Sequence, residues 1–424
     1  MQNVQLRKYH AHVWNEPIIM EMSCPGQRGI LVPLSEESLK EKINALGIPL
    51  LPSNMKRKIP PCLPEIAQPQ VIRHYERLSQ QTLGMEQNID IGQGTCTMKY
   101  SPKINEQLAS KIQEMHPYQD EETIQGVLEI IYKLDLYLRE ISGMDQFTFQ
   151  PGGGSHATFT HACIMRAYHK KNGELNQRNE VITTMFSHPC DTATPKTAGF
   201  KVITLMPDDN GYPDLEALKA VCSKHTAGLM ITNPEDTGIY NPKIDEFVKV
   251  VHEVGGLCFY DQANLNGVMG IARAREAGFD ACHFNLHKTF SSPHGCMGPA
   301  CGAYGCATKL IPFLPKPVVA YNGEKYYLEY NNLNSSIGKI REFYGNVEVL
   351  IKSLAWILSM GPEGLVEAAK VSVLNNNYLS KLLLSIPGVV RYYAKGSTRL
   401  DQERFSWEKL SEDTGIGTEE IRNR

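Results

Sequence analysis

Short apolar runs alternate with helical stretches in the middle of the chain. Between about residues 180 and 285 the runs are VITTM, KVITL, GLMIT, GLCFY and ACHFN, and the segments between them include YPDLEALKAVCSKH and IDEFVKVVHEVG. Runs this short, several of them rich in β-branched residues, are typical of buried parallel strands joined by crossover helices. The pattern predicts an α/β domain built on a parallel sheet.

The parts of the chain on either side of this alternation have different patterns. Residues 1–91 are rich in proline, as in EPIIMEMSCPGQRGILVP and KIPPCLPEIAQP, and lack regular periodicity, which indicates an extended N-terminal arm. Apolar positions three and four apart predict helices over 105–142 and over 340–384, the second interrupted at MGPEG. We therefore divide the chain into this arm, a large domain over 92–335, and a long helix with a small domain over 336–424.

Composition narrows the class of partner. The chain has 424 residues, is 42% hydrophobic and 21% charged, and carries a net charge of −3 without a block of Lys and Arg, which favours small molecules or proteins over nucleic acid. No apolar run reaches the roughly 18 residues that span a bilayer, and the N-terminus has no secretory apolar region, so we expect a cytoplasmic protein without a membrane partner. Eleven cysteines without a CxxC pair indicate reduced thiols, and we expect no metal site.

Polar side chains follow three of the predicted strands. GLCFY leads into Asp261, ACHFN leads into His287 and Lys288, and GLMIT leads into Asn233. Sheets of this kind bind ligands at the carboxyl ends of their strands, so these side chains should meet. A glycine cluster in QPGGGSHATFTHACIMRAYH runs directly into a helical pattern, and its backbone N–H groups and the helix N-terminus suit a phosphate. Triple glycines before helices are also often only turns.

Taken singly, these residues have ordinary interpretations: Asp261 as a strand-end cap and Lys288 as a surface residue. A desolvated lysine, however, loses its charge readily and can form a Schiff base. Pyridoxal phosphate needs an anion cradle, a carboxylate partner for its pyridine nitrogen and an amine for its aldehyde, so the combination predicts this cofactor. His156 could stack on its ring or make only a local bond, and His188 could contact it or be an ordinary loop residue.

Several segments resemble successive blocks of one known family. They are GTCTMKYSPKINE, YDQANLNG, GFDACHFNLHKTFSSPHG, LIPFLPKPVV, SIGKIREFYGN and MGPEGL. The family is glycine decarboxylase, the pyridoxal phosphate P-protein of the glycine cleavage system, and the similarity is closest to subunit 2 of its two-subunit bacterial form. The resemblance runs in order from about Glu16 to Pro387, and the HKTF block is its most specific part.

The resemblance implies a fold-type-I pyridoxal phosphate enzyme of the α/β class. Its large domain would hold a mostly parallel seven-stranded sheet, and a smaller α/β domain would follow at the C-terminus. Three residues would be catalytic: Lys288 as the Schiff-base lysine, Asp261 as the partner of the pyridine nitrogen, and His156 stacked on one ring face. The further cofactor contacts would be Gly154 and Ser155 at the phosphate, Ala263 against the other ring face, and His188, Asn233, His287 and Thr289 as additional neighbours.

The reaction implied by the resemblance is the decarboxylation of glycine through a pyridoxal phosphate Schiff base. The aminomethyl group would then pass to the lipoyl arm of the carrier H-protein. The implied partners are glycine, glycine decarboxylase subunit 1 and lipoylated H-protein, in a dimer or a heterotetramer.

Two loops depart from the family pattern. PHGCMGPACGAYG replaces a run of glycines that is common after HKTF, and FSHPCDTATP keeps the histidine but not the asparagine of the family's SAHGTNP-like loop. Two alternatives therefore stay open: a pyridoxal phosphate enzyme that acts on another amino acid without lipoyl coupling, and a non-catalytic paralogue subunit. In the family the small domain also extends beyond the equivalent of EEIRNR, so we expect the domain over 336–424 to be incomplete.

Overall fold

The computed structural model describes residues 15–30, 33–47, 51–81, 101–116, 118–294 and 298–423. The chain forms two compact units, Met1–Asp90 and Ile91–Arg424. In the first unit, α1 (Glu37–Ala45) and α2 (Gln68–Gln81) are regular helices within the segment for which the sequence predicts an extended arm. The domain boundaries given above stay predictions.

The second unit holds the remaining helices and all the described strands. Its helices are α3 (Lys103–Ala109), α4 (Gln125–Ser142), α5 (Gly154–Lys171), α6 (Pro189–Thr197), α7 (Leu215–Val221), α8 (Ile244–Glu253), α9 (Val347–Leu383), α10 (Glu408–Thr414) and α11 (Thr418–Asn423). Its strands are β1 (Gln146–Thr148), β2 (Glu180–Thr184), β3 (Lys201–Leu205), β4 (Thr226–Thr232), β5 (Leu257–Gln262), β6 (Ala281–Asn285), β7 (Gly302–Cys306), β8 (Val318–Tyr321) and β9 (Tyr326–Glu329).

A seven-stranded sheet in the order β1-β7-β6-β5-β4-β2-β3 is the centre of this unit. The five strands β2 to β6 are parallel to one another, whereas β7 runs antiparallel to β6 and β1 antiparallel to β7. The five apolar runs become β2 to β6, which confirms the predicted α/β class and the mostly parallel sheet. A separate antiparallel hairpin joins β8 to β9.

Both faces of the sheet are buried, as a parallel sheet requires. Along β4, Leu229 and Ile231 belong to a core cluster on one face and Met230 to a cluster on the other. Helices α4 and α9 contribute to the first cluster, and α5 contributes to the second. The strands are thereby fixed from both sides, and their carboxyl ends are left as the edge where loops can build a site.

The long helix α9 is broken where the sequence predicts. Gly361 has φ 64° and ψ 175°, outside the helical region, and Pro362 follows it. By length and composition α9 is the one described helix that could cross a bilayer, with a mean hydropathy of 1.3 over its most apolar window. Because it is kinked and places Leu350, Leu354 and Ile357 in the core, this is weak evidence for a membrane span.

The C-terminal segment after α9 has little regular structure. Residues 384–423 contain the short helices α10 and α11 and one isolated bridge between Val390 and Ser406, and no ladder of strands is described there. In the described residues, the strand pairing expected for a small α/β domain is therefore limited to this one bridge.

Candidate active site

The N-terminus of α5 lies at the carboxyl edge of the sheet without a capping side chain. Gly153 is the N-cap residue in extended backbone, so the first N–H groups of an 18-residue helix are available to a ligand. A Cβ on Gly154 would lie 2.8 Å from Nδ2 of Asn285, the last residue of β6. The glycine therefore allows the helix end to approach the strand that leads to Lys288.

The start of α6 connects the α5 terminus with Asp261. His188 is the N-cap of α6, and its Nδ1 accepts a hydrogen bond of 3.2 Å from the Cys190 backbone N–H. The Cys190 thiol bonds to the side chains of Ser155 and Thr158 on α5 and lies 3.8 Å from Asp261 Oδ2. Burial, and then the negative charge of Asp261, raises the pKa of this thiol, so Cys190 is neutral, with its Sγ 2.8 Å from His188 Nδ1 and within reach of the carboxylate.

Asp261 stands at the end of β5 with 1% of its surface exposed. Its Oδ1 accepts a hydrogen bond of 2.9 Å from the Ala263 backbone N–H, which turns the chain after the strand. Its register partner on β6 is His283, whose Nε2 lies 3.5 Å from the same oxygen. Burial lowers the pKa of His283 although Asp261 opposes that effect, so the imidazole is neutral at physiological pH.

Lys288 lies in the turn that follows β6 and is 9% exposed. Its backbone N–H donates to the carbonyl of Asn285 at 2.9 Å. The neighbouring Thr289 accepts a bond of 2.9 Å at Oγ1 from the Leu265 backbone N–H, which ties the lysine turn to the loop after Asp261. His287 bonds through Nδ1 to the Cys301 carbonyl at 3.3 Å, and burial lowers its pKa to about 3. The lysine is thus held in a largely dry, well-connected turn.

His156 occupies the first turn of α5. Its Nδ1 accepts a hydrogen bond of 3.1 Å from the Gly152 backbone N–H. Burial, and then the positive charge of Arg341, lowers the pKa of His156, so the ring is neutral and can stack on a flat ligand. The Arg341 guanidinium also lies beside Gly152, where it places an exposed positive charge next to the glycine cluster.

The structure brings most of the predicted site residues to one edge, and Asn233 lies after β4 with its side-chain oxygen bonded within its own loop. Asn233 is buried after β4, its Oδ1 accepts a bond of 2.8 Å from the Asn241 backbone N–H, and its carbonyl accepts a bond of 2.5 Å from the Tyr260 hydroxyl. These contacts hold the loop after β4. The predicted role of Asn233 as a cofactor contact stays a prediction.

Sequence reasoning overlooked several residues at this edge. They are Cys190, Asp191, His283 and Arg341. Cys190 and Asp191 follow His188 in a short helix with an internal proline. His283 lies inside β6, and only the strand register shows that it pairs with Asp261. Parts of two loops that the sequence singles out, residues 94–100 and 295–297, lie outside the described residues.

The same edge includes a possible metal-binding cluster. Ligand atoms of His188, Cys190 and Asp261 lie within 4.8 Å of one another, as do those of His252, Cys258 and Asp280 elsewhere in the described structure. Metal ions bind the thiolate, whereas burial keeps both thiols protonated here. This protonation state belongs to the metal-free protein, since a bound ion would deprotonate the thiol that coordinates it.

The residues present fit pyridoxal phosphate. The uncapped α5 terminus provides an anion cradle, the buried Asp261 can face a pyridine nitrogen, and the nearly buried Lys288 offers a primary amine. Ala263, directly after β5, supplies a small apolar side chain, and His156, in the first turn of α5, supplies a neutral ring.

Comparisons with known proteins agree with the observed fold. The aminotransferase class-V family matches residues 153–339. A solved structure of glycine decarboxylase (P-protein) of the glycine cleavage system, in inhibitor-bound form, has the same fold with a TM-score of 0.69 and 21% identity over 87% of this chain and 86% of that one. A NifS-like protein matches with a TM-score of 0.54 and 16% identity over 72% and 79%. The fold is that of the fold-type-I pyridoxal phosphate enzymes.

Closer relatives define the family. Probable glycine dehydrogenase (decarboxylating) subunit 2 of Pyrococcus horikoshii is 44% identical over 420 residues, which are 98% of this chain and 81% of the relative. The protein of the same name from Caldanaerobacter subterraneus subsp. tengcongensis is 42% identical over 94% of this chain and 80% of the relative. The chain belongs to the glycine dehydrogenase (decarboxylating) subunit 2 family.

Proposed function

We propose that this chain binds pyridoxal phosphate and is the lysine-bearing subunit of a glycine decarboxylase. It decarboxylates glycine and passes the aminomethyl group to the lipoyl arm of H-protein. The names of the 39–44% identical relatives support the substrate and the reaction. The observation that carries the proposal is the direct connection of the α5 terminus to Asp261 through the Cys190 thiol, with the Lys288 turn tied to the same loop by Thr289.

The phosphate end of the cofactor would be held by α5. The N–H groups of Gly154 and Ser155 point from a helix terminus that no side chain caps, and the partial positive charge of this terminus favours a dianion. Arg341 adds a full positive charge near Gly152. This charge can also orient the carboxylate of an amino-acid substrate.

The ring end would be held by groups from β5 and β6. Bound pyridoxal phosphate supplies an electron sink for loss of the glycine carboxyl group. Asp261 would keep a proton on the pyridine nitrogen, since a carboxylate in a dry site favours a positive charge opposite it. Lys288 would hold the aldehyde and, as a nearly buried amine, could accept or return a proton next to the reacting carbon. His156 and Ala263 would contact the two faces of the ring, and His188 and His287 would lie at its rim.

The proposed partners follow from the family. The relatives are named subunit 2, which supports a second, different subunit 1 in a hetero-oligomer. Lipoylated H-protein is the proposed acceptor of the aminomethyl group. We place these events in the cytoplasm.

The test of this function is the exchange of labelled bicarbonate into glycine. We expect exchange when the chain, pyridoxal phosphate, subunit 1 and lipoylated H-protein are combined, and a large drop when the lipoyl group is absent. Exchange with no requirement for lipoate would contradict the acceptor. No exchange by the complete mixture, with pyridoxal phosphate bound, would indicate another amino-acid substrate, and failure to bind the cofactor would favour a non-catalytic subunit.

The glycine cradle gives a second testable expectation. Gly154→Ala places a Cβ 2.8 Å from Asn285 Nδ2 and shifts the helix end away from β6, so we expect the dissociation constant of pyridoxal phosphate to rise about tenfold or more. Equilibrium dialysis of the apo-protein measures this change. Gly126→Ala is the matched control, because Gly126 lies in the first turn of α4, also 18 residues long, and its Cβ would meet nothing within 4 Å. Equal effects of the two substitutions would contradict the cradle.

A further inference from the structure

A second carboxyl group lies beside Asp261 and has no role in the function proposed above. Asp191 is fully buried in the first turn of α6, next to Cys190. Its Oδ2 accepts a hydrogen bond of 3.0 Å from the Thr232 hydroxyl, and Thr232 is bonded to the His188 backbone N–H and pairs in register with Asp261. These contacts bring the carboxyl groups of Asp191 and Asp261 into hydrogen-bonding contact.

Two carboxyl groups in contact inside a protein cannot both be ionised without a large cost. The titratable groups that act on Asp191 include the carboxyl groups of Asp261 on β5 and of Asp236 in the loop after β4, and the neighbouring Cys190 thiol on α6. Burial, and then the charge of Asp261, raises the pKa of Asp191 well above its ordinary range. The pair is therefore expected to hold one proton.

The hydrogen-bond partners show which group keeps the proton. Asp261 accepts a bond of 2.9 Å at Oδ1 from the Ala263 N–H, and the Cys190 thiol lies 3.8 Å from its Oδ2. Asp191 receives only the bond from Thr232, and its Oδ1 is buried with no donor among the described residues. A proton on the Asp191 carboxyl group turns an acceptor into a donor that the neighbouring Asp261 carboxylate can accept.

We propose that Asp191 is a protonated carboxylic acid that donates its proton in a hydrogen bond to Asp261, and so positions the Asp261 carboxylate for the pyridine nitrogen of the cofactor. Asp191 is thus a positioning residue that acts through Asp261. The position of its proton is a property of the apo-protein. Its effect on the cofactor rests on the proposed function.

The proton is tested first, on the apo-protein, with Asp191→Asn. A group that is neutral in the folded state and ionised in the unfolded state destabilises the fold as the pH rises. The unfolding constant of the wild type should therefore increase relative to that of Asp191→Asn by about tenfold per pH unit above the ordinary carboxyl pKa of about 4, until Asp191 itself ionises. Urea unfolding between pH 4 and pH 8 measures this ratio. A ratio that is constant, or that falls with pH, would overturn the proposal.

A matched control and a direct spectroscopic measurement complete this test. Asp145 also accepts a threonine hydroxyl, at 2.6 Å from Thr308, but it is exposed, so Asp145→Asn should not become relatively more stable as the pH rises. The infrared difference between the wild type and Asp191→Asn at pH 7 should show the carbonyl stretch of a protonated carboxylic acid. Absence of this band would equally overturn the proposal.

The effect on the cofactor is tested with two variants. Asp191→Asn keeps a donor of the same shape, so the dissociation constant of pyridoxal phosphate should stay within about threefold of the wild-type value, whereas Asp191→Ala should raise it about tenfold or more. Equal losses in both variants would contradict a positioning role. If the wild type itself bound no pyridoxal phosphate, the proposed function and the positioning role would both fail, while the apo-protein measurements would still decide where the proton lies.

Discussion

Replacement of Lys288 by alanine is expected to abolish covalent attachment of pyridoxal phosphate and to lower glycine–bicarbonate exchange by about 10³-fold or more. The backbone N–H of Lys288 holds the turn and is kept in the variant, so the loss should be chemical rather than structural. The measurement is a visible spectrum before and after borohydride reduction, followed by peptide mass mapping. The wild type should give a reduced adduct on Lys288.

Lys309→Ala provides the comparison for this result. Lys309 is a partly exposed lysine whose ammonium lies 2.7 Å from Asp280, away from the proposed cofactor site. Its removal should leave both the spectrum and the exchange rate within about twofold, because Asp280 keeps its bonds to His252 and to the Cys258 N–H. An adduct on another lysine in the wild type, or exchange that persists in Lys288→Ala, would refute the assignment.

Asp261→Asn is expected to lower glycine–bicarbonate exchange about 10²- to 10³-fold while pyridoxal phosphate still attaches to Lys288. The asparagine keeps an oxygen for the Ala263 N–H, so the loop after β5 should hold its shape. It removes the negative charge that keeps the pyridine nitrogen protonated, and the ring then withdraws electrons less strongly. The spectrum of the bound cofactor should change accordingly.

Asp280→Asn is a stringent control because it changes a buried aspartate at the opposite end of the same strands. Asp280 accepts bonds of 2.9 Å from His252 Nε2 and from the Cys258 N–H, and it contacts Lys309. Burial opposes its ionisation, but His252 and Lys309 outweigh burial and lower the pKa of Asp280. The substitution should reduce the free energy of unfolding by about 3 kcal/mol and leave the cofactor spectrum unchanged. A loss of exchange equal to that of Asp261→Asn would show that the effect is not local to the site.

The parallel part of the fold could be predicted because its signal is local. Each of β2 to β6 coincides with a short run rich in apolar and β-branched residues, and the helices α6, α7 and α8 separate the strands from β2 to β5. The antiparallel strand β7 has no such signal. Its sequence GAYGC has two glycines, and the structure explains them: a Cβ on Gly302 would strike the Gly153 carbonyl, and a Cβ on Gly305 would strike the Phe147 ring. Close packing against the neighbouring elements requires glycine at these two positions. The spacing of residues along the sequence does not reveal such contacts.

The site could be predicted only in part for a similar reason. Lys288 and Asp261 follow strands, so the position of the strand ends is enough to bring them to one edge. Asp191 lies in a short helix with an internal proline, and nothing in its immediate sequence shows that it is buried against another carboxyl group. Asn233 follows a strand as well, but its side chain is used to close its own loop. Strand ends indicate where chemistry can occur, whereas side-chain direction depends on tertiary contacts.

The pairing of Asp261 with His283 across β5 and β6 has a consequence for the thermodynamics of cofactor association. Asp261 lies on β5, and Lys288 lies three residues beyond the end of β6. The separation of their backbones is therefore set by the hydrogen-bonded ladder between these two buried strands. Little conformational freedom is left there for a ligand to remove, and the entropic penalty of association should fall on the ligand itself. Amide hydrogen exchange in β5 and β6 should accordingly be as slow in the apo-protein as in the loaded one.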